Sequence, residues 1–88
     1  MTVEDHQIIV YGTTWCFDSR RARKILDELN IAYTWIDIDK TKEARKIVEE
    51  INKGNRSVPT IIFPDGSIMV EPSNDALRAK LFEYMQQT

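Results

Sequence analysis

The order in which two apolar periods alternate along the chain constrains the fold more than any other feature. Ile8-Ile9-Val10-Tyr11 is a β-branched and aromatic run closed by Gly12, and it reads as a buried strand. From Phe17 to about Asn30 the pattern changes: Ala22, Ile25, Leu26 and Leu29 fall at i, i+3, i+4 and i+7 and make one apolar helix stripe. Tyr33-Thr34-Trp35-Ile36-Asp37-Ile38 is again strand-like, and Ala44, Ile47, Val48 and Ile51 then repeat the helical spacing until Gly54 stops it. Thr60-Ile61-Ile62-Phe63 and Ser67-Ile68-Met69-Val70 flank Pro64-Asp65-Gly66, whose proline and glycine suit a tight turn, so the pair reads as a hairpin. After Pro72, Ser73 can cap a last helix whose apolar face uses Leu77, Leu81 and either Tyr84 or Met85. The predicted order is βαβαββα. A βαβ unit needs a right-handed crossover between parallel strands, and a closing hairpin adds antiparallel partners. The expected fold is therefore α/β, a four-stranded mixed sheet carrying three helices.

The 88 residues suffice for a single domain, 1–88, with one layered core. Apolar residues make up 42% and charged residues 30%, and a net charge of −2 offers no general attraction for nucleic acid or an anionic membrane. No apolar run approaches the roughly 20 residues of a membrane span. The start, MTVEDHQ, is acidic and polar where a signal peptide is basic and then apolar, so the expected compartment is the cytoplasm. Cys16 is the only cysteine and His6, in an expected terminal tail, the only histidine, so no metal site of the histidine/cysteine kind is expected within one chain.

Cys16 falls at the expected N-terminal edge of the first helix, in a loop leaving the first strand. Ligands of open α/β sheets bind beyond the carboxyl ends of the strands, where that loop lies. The first turn of a helix points free N–H groups and a positive dipole end at such a sulfur and favours the reactive thiolate form. Arg20, Arg21, Arg23 and Lys24 add cationic charge along the same helix, and Asp18 opposes it at close range. The bland alternative makes Cys16 a small buried apolar residue.

Three segments in order, Trp15-Cys16-Phe17-Asp18-Ser19, then Ser57-Val58-Pro59-Thr60, then the hairpin followed by Pro72-Ser73-Asn74, resemble a glutaredoxin of the thioredoxin superfamily. More narrowly, TTWC, GNRSVPT, FPDGS and the later PS resemble the short glutaredoxin-like mycoredoxins, over roughly Ile8 to Leu81. The resemblance implies the thioredoxin fold, thiol-disulfide oxidoreductase activity, and a low-molecular-weight thiol, mycothiol or glutathione, as co-substrate with no metal. It further implies S-thiolated proteins as substrates of a protein expected to act as a monomer. Cys16 is then the nucleophile, and a cis Val58-Pro59 bond faces it, exposing the Val58 backbone to a bound thiol. Arg56, beside Ser57, matches a residue that contacts one carboxylate of glutathione, or else is a solvated loop arginine. Ser73 and Asn74 fall where a helix start holds the other carboxylate; Ser73 can equally be a plain cap. Trp15 either stacks on the ligand or packs beside the loop. Thr13 and Ser57 are also expected to contact the small thiol, although Thr13 stands where many glutaredoxins carry a lysine, and Glu71-Pro72 where they carry two glycines. Both departures weaken the case for glutathione.

Ser19 occupies the position of the second, resolving cysteine, either as the natural residue or as a replacement for it. A serine hydroxyl forms no S–S bond, so the dithiol route is closed and monothiol exchange remains. Two other readings stay open. Thiol-ligated dimers with a related site bridge a [2Fe–2S] cluster, but Phe17-Asp18 is bulkier than the usual Gly-Phe and the longer preceding loop is missing. A non-catalytic binding module would keep the fold and show ordinary thiol reactivity at Cys16.

Overall fold

A computed structural model describes residues 7–87; His6 and the tail assigned to it lie outside the described residues. The elements are β1 (Ile8–Gly12), α1 (Phe17–Glu28), β2 (Tyr33–Asp37), α2 (Lys42–Ile51), β3 (Thr60–Ile62), β4 (Ile68–Val70) and α3 (Asn74–Gln86), in the order βαβαββα. The sheet runs β2-β1-β3-β4, with β1 parallel to β2, antiparallel to β3, and β3 antiparallel to β4. This is the expected α/β fold.

The period of two along β1 builds a core on each face of the sheet. Ile8 and Val10 point to one side, where they meet Ala22, Ile25 and Leu26 of α1, Leu77 and Leu81 of α3, and Ile61 and Phe63. Tyr11 points to the other, with Ile38 and with Ala44 and Val48 of α2. Tyr84, rather than Met85, completes the α3 face: its ring stands edge-on to Phe63 at 6.1 Å, while Met85 is exposed. The expected stripe of α2 is only half used, since Ala44 and Val48 are buried but Ile47 is exposed and Ile51 only partly covered. The reason is that α1 and α3 shield each other on one face, whereas α2 lies alone on the other and hides only its inner row.

Left-handed residues close the first two helices. Asn30 at φ 56° follows the last turn of α1, and Lys53 at φ 55° with Gly54 at φ 97° follows α2, left-handed positions that cannot continue a helix. The Pro64-Asp65-Gly66 turn is tied by Asp65, whose carboxylate accepts the Ser67 N–H at 2.9 Å and its hydroxyl at 2.6 Å. These bonds hold the Asp65 carboxyl below the usual carboxylate range.

The register decides where a site can form. Tyr11 pairs with Thr60, Thr60 with Val70, and Gly12 with Asp37. The loop after β1, the segment before β3, the turn before α3 and the loop after β2 therefore all emerge at one end of the sheet. Ser73 starts α3 there as a side-chain cap, its hydroxyl accepting the Ala76 N–H at 3.1 Å. Ser73→Ala is expected to lose about 1 kcal/mol of stability, measured by urea unfolding; an unchanged midpoint would mean the cap contributes nothing.

Candidate active site

Cys16 is the N-cap residue of α1, extended at φ −78° and ψ 122°, with its carbonyl accepting the Arg20 N–H at 3.1 Å. Its side chain makes no capping bond and is partly exposed, so it is not the buried apolar cysteine of the bland alternative. The sulfur faces Val58 across the end of the sheet, and the thiol donates to the Val58 carbonyl with Sγ···O 3.9 Å. The Val58-Pro59 bond is cis, and the Pro59 carbonyl beyond it accepts the Glu71 N–H at 2.9 Å, prolonging the β3–β4 ladder toward the cysteine. Ser57 lies beside them, its carbonyl accepting the Thr60 hydroxyl at 2.7 Å.

Two aromatic residues flank the thiol, Trp15 at 70% exposure and Phe17 at 66%. Trp15 is anchored despite its exposure: its indole N–H donates to Asp39 Oδ2 at 2.8 Å, and the Asp39 N–H in turn donates to Asp37. Asp39, from the loop after β2, was not legible as a site residue, because nothing local in the sequence pairs it with a tryptophan 24 positions earlier.

Ser19 lies beneath the cysteine rather than beside it. It is fully buried on the inner side of α1, and its hydroxyl accepts the Thr13 N–H at 3.4 Å. Thr13 departs from the expectation that it would contact a small thiol. It directly follows the central strand and is buried, with its own hydroxyl unpartnered, so its side chain does not line the exposed surface around Cys16.

Of the residues expected to receive carboxylates, Arg56 and Ser73 already have partners within the chain. Arg56 is exposed and its Nε donates to Glu49 Oε2 of α2 at 2.8 Å. The Ser73 hydroxyl is spent on capping, Asn74 opens α3, and Asp75 puts a carboxylate in the same first turn. Glu71 is left-handed at φ 47°, a conformation natural to glycine.

A thiol at a helix start, opposite a cis-proline segment and an exposed aromatic, coincides with a match to the glutaredoxin family model over residues 8–68. The chain belongs to the glutaredoxin family. A protein of Mycobacterium tuberculosis named as a glutaredoxin is 40% identical over 74 residues, covering 84% of this chain and 88% of that one. Mycoredoxin 1 of Corynebacterium glutamicum is 36% identical over 84% of this chain and 91% of its own. Among solved structures, the glutaredoxin of Methanosarcina mazei superposes with a TM-score of 0.70 at 27% identity, covering 92% of this chain and 82% of that one. Glutaredoxins and mycoredoxins are thiol-disulfide oxidoreductases, so this chain is an enzyme of that class, acting with a glutathione-like small thiol. Among the described residues no group of three or more His, Cys, Asp or Glu is disposed to hold a metal ion, and no helix is long and apolar enough to cross a membrane.

Proposed function

We propose that the protein reduces mixed disulfides between proteins and a small thiol by monothiol exchange at Cys16. One observation carries this reading: the Cys16 sulfur lies partly exposed between the α1 N-terminus and the Val58 carbonyl, while the residue three positions on is a buried serine. The Cys16 thiolate attacks the small-thiol sulfur of protein–S–S–R, forming Cys16–S–S–R and releasing the protein thiolate, which takes up a proton. A second R–SH, as thiolate, attacks the R sulfur and leaves R–S–S–R with Cys16 restored. The net reaction turns protein–S–S–R and one R–SH into protein–SH and R–S–S–R. The Val58 backbone pairs with the cysteinyl part of the thiol like an added strand, while the first turn of α1 stabilises charge on the sulfur. Ser19 anchors the loop through the Thr13 N–H and takes no chemical part. The cycle needs one protomer and a reducing compartment, the cytoplasm.

The small thiol that suits this site best is mycothiol. Glutathione brings two free carboxylates, and both places that would receive them hold carboxylates of the chain: Glu49 on Arg56, and Asp75 with Glu71 around the start of α3. Mycothiol, a sugar thiol whose cysteine carboxyl is tied up in an amide, brings none. The Trp15 indole, fixed by Asp39 and open to solvent, offers a flat apolar face to a sugar ring. The test compares one peptide carrying each thiol as a mixed disulfide. The mycothiol form should show the higher kcat/KM, and Glu49→Gln, by releasing the Arg56 fork, should lower KM for the glutathione form about threefold or more while leaving the mycothiol form unchanged. Preference for glutathione in the parent, or equal effects of Glu49→Gln on both, would remove mycothiol as the natural partner.

A further inference from the structure

Along the outer face of α1, starting beside the active-site thiol, Phe17, Arg20, Arg21 and Lys24 line a surface hollow of about 310 Å³, and Arg20, Arg23, Lys24 and Asp27 line a second of about 240 Å³. Arg20 and Lys24 belong to both, a cationic wall shared by two adjacent hollows that together make an open groove along α1. The cations in it are not equivalent. Arg21 pairs with Asp18 at 3.2 Å and bonds the Pro72 carbonyl, and the Arg23 guanidinium lies 4.1 Å over the Trp35 ring while its Nε donates to the Tyr33 hydroxyl. The side chains of Arg20 and Lys24 are exposed and make no hydrogen bond or ion pair among the described residues. Like charges at i, i+3 and i, i+4 oppose helix formation: Lys24 has Asp27 and Glu28 at those spacings to offset it, whereas Arg20 has only Arg23 and Lys24 and no carboxylate. The chain as a whole carries −2, which makes this strip a local inversion of its charge.

We infer that the groove receives an acidic extended segment of the S-thiolated protein, with carboxylates on Arg20 and Lys24 while its mixed disulfide is presented to Cys16 and its cysteine sulfur leaves. This rests on the reading of Cys16 as the exchange nucleophile, and adds to it a rule for choosing among protein substrates. The spacing follows from geometry. Arg20 and Lys24 lie about 6 Å and 12 Å from Cys16 along the helix axis, and an extended chain advances about 3.3 Å per residue. The acidic residues therefore stand about two and four positions from the thiolated cysteine. Phe17, exposed at the mouth of the groove, supplies an apolar contact to the residue next to that cysteine.

The test uses peptides bearing one mixed disulfide and either two glutamates or two glutamines at those positions, made in both chain directions. The glutamate peptides in one direction should show about tenfold higher kcat/KM, and the ratio should fall to near one in Arg20→Gln/Lys24→Gln and at high salt. A ratio within one variant is insensitive to any change in Cys16 reactivity. The charge-reversed Arg20→Glu/Lys24→Glu protein should prefer lysine peptides instead. Equal rates for glutamate and glutamine peptides, or a ratio that survives the double substitution, would overturn the inference. Anisotropy of labelled peptides with serine in place of cysteine reads the same preference without chemistry. Lost turnover with retained acidic preference would fault the exchange reading alone; retained turnover with no preference would fault the groove alone.

Discussion

Replacing Gly12 by alanine should destabilise the protein by about 1–3 kcal/mol, enough to lower Tm by roughly 5–20 °C in a domain of this size. Gly12 ends the central strand, and a Cβ built on it lies 2.6 Å from the Ser19 hydroxyl and 2.9 Å from two atoms of the Trp35 ring. Ser19 is fully buried, and Trp35 carries the Arg23 guanidinium 4.1 Å over its ring, so neither neighbour can give way freely. Combining Gly12→Ala with Ser19→Ala removes the contact to the hydroxyl but keeps the one to the ring, so it should restore part of the loss and not all of it. A Gly12→Ala protein that melts like its parent would mean that β1, α1 and Trp35 do not meet as closely as described.

Cys16→Ser should abolish exchange, a loss of at least about a thousandfold in kcat/KM that no increase in thiol concentration rescues, because a serine hydroxyl cannot enter or leave an S–S bond. The fold should be untouched. Cys16 is partly exposed, makes no capping bond, and contributes only its long contact to the Val58 carbonyl. Unchanged thermal unfolding beside lost turnover would separate the chemical role of the sulfur from any structural one. Measurable turnover in the variant would mean that the reaction needs no thiol of this chain, since Cys16 is its only cysteine.

What the sequence made legible follows from where its signals are local. The strand periods around Val10 and Ile61, the α1 stripe of Ala22, Ile25 and Leu26, and the Pro64-Asp65-Gly66 turn are set by residues a few positions apart, and each lies where the pattern puts it. The helix start at Cys16 was legible for the same reason. The cis Val58-Pro59 bond was legible only through family resemblance, because proline at a strand entry is ordinarily trans. The pairings that give the site its character join different elements and follow no strand or helix period: Trp15 with Asp39, Arg56 with Glu49, and Ser19 with the Thr13 N–H across the inside of the loop. Ile47 misled because a helical period marks which residues share a face and not whether anything covers it.

The exchange reading is tested most directly by intact mass spectrometry of the reduced protein, mixed in separate arms with mycothiol disulfide and glutathione disulfide and then chased with the matching free thiol. A single adduct that forms faster than on a free cysteine, is absent from Cys16→Ser, and is cleared by the second thiol molecule is the expected result, with mycothiol the faster arm. An adduct no faster than that of a free cysteine, or one that the second thiol does not clear, would contradict monothiol exchange at Cys16.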